Sequence, residues 1–218
     1  MRLRRPRADP TDRATDPPAD PTRDGPWLVV GLGNPGRGYA NTRHNVGYLV
    51  VELLAARIGV AWKRHRTGRA DTAEGRLGTP GAGATPRVVL ARPRAYMNEA
   101  GGAVAGVAAY ASIGPEHMVA VHDELDLDRG RLRVKFGGGD NGHNGLRSMR
   151  KSLGTGDFYR VRVGIGRPPG RQDPADYVLS AWSGAERADR DVVVERAVAA
   201  VQTMILSGLE VTQSEFNN

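Results

Sequence analysis

Cysteine is absent from this 218-residue sequence. Its absence excludes disulfide bonds, thiolate nucleophiles and cysteine-ligated zinc or iron–sulfur sites, and it fits the reducing environment of the cytoplasm. Long apolar runs are absent too, so the sequence offers no candidate for a membrane-spanning helix, which needs about 18 or more such residues. The basic N-terminus is not followed by the apolar stretch of a secretory signal. We therefore expect a cytoplasmic protein that does not enter a membrane.

The composition is otherwise that of one globular domain with an N-terminal extension. Hydrophobic residues make up 39% and charged residues 25% of the chain, as in ordinary soluble domains, and the length suits a single core. Residues 1–26 differ, because they hold six Arg, five Asp and six Pro with almost no large apolar side chains. Little burial would offset the entropy cost of ordering them. We predict a disordered extension over residues 1–26 and one domain over residues 27–218.

Positive charge is concentrated in one part of the chain. The formal net charge is +7, and the segment from Arg131 to Arg171 contains ten Arg or Lys against two Asp, a local charge of +8. The rest of the chain sums to −1. A solvated basic surface is one interpretation of this segment. A nucleic acid is the leading specific partner, because a polyanion is bound by clustered cations.

Apolar runs alternate with helical periodicities along the domain. The runs that predict strands are 27–32, 88–90, 118–121, 132–136 and 161–165, with further strands expected before residue 92. Helical spacing of apolar residues predicts helices over about 46–58, 101–110 and 194–209, and a short helix over 144–153. This alternation predicts a single-domain, three-layer α/β sandwich with a mixed, largely parallel central sheet flanked by helices.

Four polar loops follow predicted strands. In sheets of this kind, sites form where loops leave the carboxyl ends of the strands. The loops are Asn34–Asn45, Tyr96-Met97-Asn98, His122–Asp126 and Gly137–Asn144. Several carry glycines, which permit tight turns and close approach of a backbone. Four such loops predict one shared cleft.

His44 is the candidate general base. It directly precedes a predicted helix, whose positive end would favour the neutral imidazole that a base requires. The alternative is a surface or helix-capping histidine.

Asp123 is the candidate partner of His44. A carboxylate at the end of a strand would accept a hydrogen bond from one ring nitrogen of His44 and fix its tautomer. One alternative is a loop carboxylate that caps a turn. Another is a metal site built from His122, Asp123, Glu124 and Asp126, which is disfavoured because these residues alternate between the faces of a strand.

Three asparagines beside glycines are candidate substrate ligands. Asn34, Asn98 and Asn144 carry neutral amides, which would hold a peptide carbonyl or a developing oxyanion without titrating. Each is also a common turn residue. The glycines from Gly31 to Gly36 superficially match a dinucleotide-binding loop, but Pro35 and the final spacing argue against that function.

Several of these segments together resemble the bacterial-type peptidyl-tRNA hydrolase family, from about Leu28 to the C-terminal helix. The combination is far more specific than any one loop, because the segments follow one another in the family's order at compatible distances. The matching stretches are Gly31-Leu32-Gly33-Asn34-Pro35-Gly36, Tyr39, Thr42-Arg43-His44-Asn45, Met97-Asn98, His122-Asp123-Glu124-Leu125-Asp126 and Gly142-His143-Asn144-Gly145. Two positions depart from the family pattern: Ala100 stands where a serine is frequent, and Asp140-Asn141 where small residues or histidine are common.

The resemblance implies a monomeric α/β hydrolase that cleaves the ester between peptide and tRNA in peptidyl-tRNA and so recycles tRNA during translation. It implies His44 as the catalytic base, Asp123 as its orienting partner and Asn34 as the residue that recognises the first peptide bond. Neither a metal nor an organic cofactor is expected, and no obligate protein partner. The residues that it places around the tRNA 3′ end and the peptide are Tyr39, Tyr96, Met97, Asn98, His143 and Asn144.

A tRNA substrate would also explain the basic segment. We expect its phosphates to contact cations near or beyond the Gly-rich loop, and binding to weaken with salt in proportion to the number of contacts. The expected contact residues are Lys135, Arg147, Arg150, Lys151 and Arg162.

Three other functions remain as alternatives. The main one is a non-catalytic RNA-binding protein on the same fold. A nucleotide-binding α/β protein would need a phosphate loop and usually a ribose-binding carboxylate, and a metal-dependent hydrolase comes last. His44, Asp123 and Asn34 favour the enzyme, because a binding module needs no base with an orienting carboxylate.

Overall fold

The computed structural model describes residues 25–78 and 85–218, and nearly all of the predicted N-terminal extension lies outside these ranges. One seven-stranded sheet forms the centre, with strand order β2-β3-β4-β1-β5-β7-β6. The strands are β1 (Trp27–Gly31), β2 (Lys63–Arg64), β3 (Ala70–Arg76), β4 (Arg87–Pro93), β5 (Met118–Glu124), β6 (Leu132–Phe136) and β7 (Tyr159–Gly164). Strands β4, β1, β5 and β7 run parallel, whereas β2, β3 and β6 pair antiparallel at the two sides.

Helices cover both faces of the sheet. They are α1 (Val46–Arg57), α2 (Ala100–Ala111), α3 (Asn144–Leu153), α4 (Pro174–Val178), α5 (Arg187–Ser207) and α6 (Leu209–Phe216). Helices α1, α5 and α6 share one apolar core with the sheet, and α2 and α3 share a second core on the opposite face. The predicted three-layer α/β sandwich with a mixed sheet is therefore confirmed. None of the helices in the described residues has the length and apolar character needed to cross a membrane.

The central strand β1 shows why the sheet holds two cores. Trp27 and Val29 belong to one core, Leu28 and Val30 to the other, and all four are fully buried. A parallel strand covered on both faces has apolar residues at every position instead of every second one. This explains the continuous apolar run from which the strand was predicted.

Every predicted strand and helix is present, but several bounds differ. Helix α5 begins at Arg187, seven residues before the predicted start at 194, because its first residues are mostly polar and show no apolar pattern. Strand β5 continues through Glu124, so His122 and Asp123 lie inside the strand and not after it. The C-terminal helix is interrupted at Gly208, whose φ of 83° is left-handed, although the apolar periodicity continues past it. The five-residue helix α4 was not predicted, because it is too short to show a period.

Two glycines bring the start of α1 against the sheet. A Cβ on Gly47 would lie 2.4 Å from the carbonyl oxygen of Val121, and one on Gly31 would lie 2.3 Å from the carbonyl oxygen of Gly47. No real Cβ tolerates such distances, so both positions require glycine. The close contact places the residues just before α1 beside the carboxyl end of β5.

Candidate active site

The four predicted polar loops meet at the carboxyl edge of the parallel strands. Asn34 follows β1, Met97 follows β4 and Asp123 lies near the end of β5. The loop to His143 differs, because it leaves the antiparallel strand β6 at the opposite edge of the sheet and returns to this one. Hydrogen bonds join the backbone N–H of Met97 to Asn34 and join His143 to Asp123. His44, which precedes α1, completes the cluster by bonding Asp123. The predicted convergence is therefore present.

His44 lies in a 3₁₀ turn formed by residues Arg43–Asn45, directly before α1. Its Nδ1 lies 2.8 Å from Oδ1 of Asp123. Its Nε2 has no hydrogen-bond partner among the described residues, and the ring lines a cleft of about 490 Å³, the catalytic cleft below. Because ionised Asp123 only accepts, Nδ1 carries the proton and Nε2 keeps its lone pair. The ring therefore presents a lone pair, and not an N–H group, at the nitrogen away from Asp123.

Asp123 is buried and accepts bonds from two histidines. Its Oδ1 lies 2.8 Å from Nδ1 of His44 and 3.0 Å from Nε2 of His143. Burial raises the pKa of the Asp123 carboxyl. The two imidazole rings and their hydrogen bonds lower it by more, so that the pKa lies well below its usual range. Asp123 is therefore an anion at neutral pH.

The charge on Asp123 controls the titration of His44. Burial of the ring lowers the pKa of His44, but the carboxylate and its hydrogen bond raise it, so that the pKa is raised above 6.5. The expectation that the helix end would favour the neutral ring is therefore wrong in direction. The nearby full charge outweighs the partial charge of a helix terminus. His44 is a stronger base than free imidazole.

His143 has both ring nitrogens engaged. Its Nδ1 accepts from the backbone N–H groups of Gly145 and Leu146 at 3.1 and 3.3 Å and so caps the N-terminus of α3. Since Nδ1 accepts, the proton of the neutral ring lies on Nε2, which donates to Asp123. His143 therefore supports Asp123 and α3 and has no nitrogen left for a substrate proton.

One group of side chains has the spacing of a metal site. Among the described residues, His44, Asp123 and His143 bring their ligand atoms within 4.8 Å of one another. A metal ion would need the lone pair of the nitrogen that each histidine presents to Asp123. His143 presents N–H there, because its lone pair is used by the cap of α3. The donor set thus fits a hydrogen-bonded cluster better than a metal site.

The residues on either side of Asp123 are not part of its cluster with His44 and His143. His122 donates from Nδ1 to the carbonyl oxygen of Asp123, at 2.7 Å, and burial lowers its pKa well below the usual value. His122 lines a second cavity of about 590 Å³, the basic cavity, and Glu124 lines both that cavity and the cleft beside His44. The four-residue metal set considered from the sequence is therefore not assembled around one point, as strand alternation predicted.

The side-chain amide of Asn34 has its oxygen bonded within the protein, whereas its nitrogen can donate to a substrate. Its Oδ1 accepts from the backbone N–H of Met97 at 2.8 Å, which leaves Nδ2 as a donor. Its backbone N–H and C=O pair with the side-chain amide of Asn45, at 2.8 and 2.9 Å. Asn34 lines a neighbouring cavity of about 600 Å³ and not the catalytic cleft itself. The Asn45 pair locks this loop to the turn that carries His44.

Aromatic and amide side chains form the exposed rim of the site. Tyr39 and Tyr96 pack edge to face with ring centroids 6.2 Å apart, and Tyr96 is 56% exposed. Met97 is buried beneath the rim, whereas Asn98 and Asn144 are exposed. Asn144 accepts through Oδ1 from Arg147 at 3.0 Å, which leaves its Nδ2 as a donor.

The basic residues predicted to contact RNA fall into two groups. Lys135 and Arg162 line the basic cavity, where Arg162 pairs with Glu124 at 2.9 Å. Arg147, Arg150 and Lys151 lie on α3, next to the Gly-rich loop. Asp140, a departure from the family pattern, pairs with Arg147 and Arg150 at 3.3 and 3.4 Å. Its charge is therefore partly neutralised inside the protein.

Arg43 makes several hydrogen bonds and was not singled out from the sequence. It is buried beside His44 and donates to both oxygens of Glu186 at 2.8 Å and to the carbonyl oxygens of Ser180 and Ala181. The rings of Tyr177 and Trp182 cover its guanidinium. This network ties the turn Arg43–Asn45, which carries His44, to the segment that forms one wall of the same cleft. The only signal in the sequence was its place in the motif around His44.

The sequence is similar to one known family over almost the whole domain. The sequence model of the family described as "Peptidyl-tRNA hydrolase" matches residues 28–218. A protein named peptidyl-tRNA hydrolase from Kineococcus radiotolerans is 57% identical over 192 residues, which cover 88% of this chain and 96% of that protein. One of the same name from Frankia alni is 55% identical over 197 residues, covering 90% and 96%.

Solved structures agree with the sequence comparison. The crystal structure of peptidyl-tRNA hydrolase from Acinetobacter baumannii superposes with a TM-score of 0.77 at 34% sequence identity, covering 88% of this chain and 94% of that one. The structure of a peptidyl-tRNA hydrolase complex with N-propanol gives a TM-score of 0.75 at the same identity.

Proposed function

The chain belongs to the peptidyl-tRNA hydrolase family and is a hydrolase of peptidyl-tRNA, and we propose that His44 is the general base of this reaction. One observation carries the proposal: a buried carboxylate fixes Nδ1 of His44, so that Nε2, which has no partner among the described residues, is the basic nitrogen beside the cleft. A non-catalytic RNA-binding protein would need neither the orienting carboxylate nor the raised basicity.

Nε2 of His44 takes a proton from a water molecule, whose oxygen attacks the carbonyl carbon of the ester. The imidazolium that forms is stabilised by the negative charge of Asp123. The tetrahedral intermediate then expels the ribose oxygen, which takes the proton back from His44. The products are a peptide with a free carboxylic acid and a tRNA with a free terminal hydroxyl. A positioned base supplies about 10²- to 10⁴-fold of the acceleration.

Asparagine amides bind the polar groups of the substrate next to the ester. Nδ2 of Asn34 donates to the carbonyl of the first peptide bond, which is present in an N-blocked aminoacyl group and absent from a free one. Asn98 and Asn144 bind the ester carbonyl and its oxyanion, a role worth about 10²-fold or more for one donor. Tyr39, Tyr96 and Met97 complete the site around the tRNA 3′ end.

Cations beside the cleft bind the RNA. Lys135 and Arg162 line the basic cavity next to the catalytic cleft, and Glu124 holds Arg162 in place. The cations of α3, Arg147, Arg150 and Lys151, extend the same surface. Each phosphate contact adds about 0.9 to the slope of log affinity against log salt for a duplex.

The reaction needs no metal in this proposal, because water is activated by the nitrogen that Asp123 leaves free. His143 acts through Asp123 and is a positioning residue. We further propose that the enzyme acts in the cytoplasm and, as the family resemblance implies, as a monomer.

The test is tRNA release from N-acetyl-aminoacyl-tRNA in the presence of a chelator, comparing the intact protein with His44→Ala. We expect the intact protein to cleave and the variant to lose at least about a hundredfold in kcat, while its affinity for tRNA is unchanged. Binding of tRNA by both proteins without cleavage by either would favour the RNA-binding alternative. Loss of cleavage by the intact protein in chelator alone would favour a metal-dependent hydrolase.

A further inference from the structure

A second basic region lies outside the segment already assigned to RNA. From Lys63 to Arg94 the sequence has eight Arg or Lys against two acidic residues, a local charge of +6. The sum of −1 for everything outside residues 131–171 conceals this region, because acidic residues elsewhere offset it. Strands β2, β3 and β4 carry five of these cations, and Arg66, Arg69 and Arg94 lie in the turns beside them, on the side of the sheet opposite to β6 and β7.

The strand register places one end of this region at the edge of the sheet that holds the active site. Ala70 of β3 pairs with Pro93, at the carboxyl end of β4, where the loop to Met97 begins. The β2–β3 turn, residues 65–69, therefore lies at the same edge as His44. It is three strand spacings, roughly 14 Å, to the side of β5. At the far edge, Arg76 pairs with Arg87.

The cations of the turn have no carboxylate partners within the described part of the chain. Asp71 lies within 4.0 Å of the guanidinium groups of Arg64, Arg92 and Arg94. Arg66 and Arg69, in contrast, are exposed and form no ion pair with a described residue. Their charges are available to an external anion.

An exposed aromatic ring lies beside these two arginines. Tyr110, near the end of α2, is 58% exposed, and the guanidinium of Arg66 lies 5.2 Å from its ring centroid. The buried ring of His65 supports Tyr110 edge to face at 5.1 Å. An aromatic ring held next to unpaired cations is the combination with which proteins bind RNA bases and phosphates together.

Helix α2 separates this turn from the basic residues of α3. The guanidinium of Arg69 lies against Gly102, 3.1 Å from where a Cβ would be, while the adjacent Gly101 packs on Ser148 of α3. The twelve residues of α2 carry no charge. Two rows of cations thus lie on either side of an uncharged helix, about two helix spacings, or roughly 15–20 Å, apart.

We propose that the β2–β3 turn (residues 65–69) and Tyr110 form a second RNA-binding surface, which contacts phosphates and an unpaired base of the substrate tRNA on the side of α2 away from α3. This inference rests on the proposed function, which makes tRNA the polyanion that reaches this edge. An acidic segment of the attached peptide is the competing ligand, and Tyr110 favours RNA over it.

The test measures binding of deacylated tRNA to the full chain as a function of salt. The variant Arg66→Gln/Arg69→Gln removes two cations of the turn. Its control, Arg187→Gln/Arg196→Gln, removes two exposed cations from α5, which packs on the face of the sheet opposite to α2. We expect the turn variant to reduce the slope of log affinity against log salt by about 2 and to raise Kd at least tenfold near ~0.1 M salt. The control should change neither quantity, and Tyr110→Leu should weaken binding about fivefold or more without changing the slope.

Equal effects of the turn variant and its control, or no effect of either, would overturn the proposal and leave a solvated basic surface. An unchanged affinity for deacylated tRNA, with a loss of kcat/KM only for peptidyl-tRNA that carries acidic residues, would overturn it in favour of peptide binding. Failure of the proposed function is distinguishable, because deacylated tRNA carries no ester and its binding does not depend on His44.

Discussion

The catalytic turn Arg43–Asn45 and the loop that ends at His143 each present a histidine to the same oxygen of Asp123, at 2.8 and 3.0 Å. They differ in what happens at the other ring nitrogen. That of His143 is used by two backbone N–H groups, whereas that of His44 has no partner among the described residues. Nearness to the carboxylate does not identify a base, since both rings have it. What identifies the base is the second ring nitrogen, which in His44 keeps its lone pair and has no partner among the described residues.

Neutralising Asp123, which bonds both histidines, should lower the rate most. We predict that Asp123→Asn lowers kcat by about 10²- to 10³-fold, because the amide neither fixes the tautomer of His44 nor stabilises its imidazolium. The pKa of His44 is raised by Asp123, so the midpoint of the pH–rate profile should move to lower pH in the variant. Single-turnover rates across pH measure both effects. A large rate loss with an unmoved midpoint would contradict the link between Asp123 and His44.

Substitution of Asn34 should lower activity less than substitution of Asp123 but more than substitution of His143. We predict that Asn34→Asp lowers kcat/KM for N-acetyl-aminoacyl-tRNA by about tenfold, because the carboxylate lacks the donor that faces the substrate. The variant should discriminate less between blocked and free aminoacyl-tRNA. Asn45→Ala is the matched comparison, since it removes only the brace behind Asn34. Unaltered discrimination in Asn34→Asp would show that another residue recognises the peptide bond.

The supporting histidine should be nearly dispensable for chemistry. We predict that His143→Ala loses less than about tenfold in kcat, in contrast to His44→Ala. The midpoint of its pH–rate profile, which His44 sets, should stay above pH 6.5. Its cost should appear in the free energy of unfolding, as about 1 kcal/mol from the lost cap of α3. Denaturant unfolding and single-turnover kinetics on the same sample separate the two. A loss in kcat as large as that of His44→Ala would reverse the roles assigned to the two rings.

The turn Arg43–Asn45 is anchored by the ion pair between Arg43 and Glu186, and acid should weaken this anchor. Burial raises the pKa of Glu186, but its bonds to Ser183 and Arg43 lower it to about 2, against an ordinary 4.5. This stabilisation is complete above pH 4.5 and is lost as pH falls toward 2. We predict that Glu186→Gln lowers the free energy of unfolding at neutral pH by about 2 kcal/mol. The difference from the intact protein should vanish in acid, and a constant difference in thermal unfolding at every pH would exclude this ion pair as its cause.

The sheet and the loops of the site could be predicted from local sequence. Buried parallel strands are continuous apolar runs, and glycine and asparagine mark the loops that follow them. Strand β6 and helix α3 have the predicted bounds. Strand β6 begins and ends where its apolar pattern does, whereas α3 begins after the cap of His143 and ends before Gly154, whose backbone is left-handed. Strand β5 runs further, since His122–Glu124 are polar residues that become buried in the finished site.

Features that join distant parts of the chain could not be predicted in this way. The bonds from Arg43 to Glu186 and from Asn34 to Asn45 depend on the folded geometry, and the first pair is 143 positions apart. The tautomer of His143 depends on where the N-terminus of α3 points. The second basic region is hidden for a different reason. Its charge of +6 is offset by acidic residues elsewhere in the chain, so that only a local count along the sequence reveals it.

The most direct test of the central claim is ¹⁵N NMR of the histidine side chains over about pH 5 to 9, combined with the pH–rate profile. We predict that neutral His44 carries its proton on Nδ1, that neutral His143 carries its proton on Nε2, and that the kinetic midpoint coincides with the titration of His44 above pH 6.5. A kinetic midpoint that does not coincide with the titration of His44, or a neutral His44 that carries its proton on Nε2, would contradict the account.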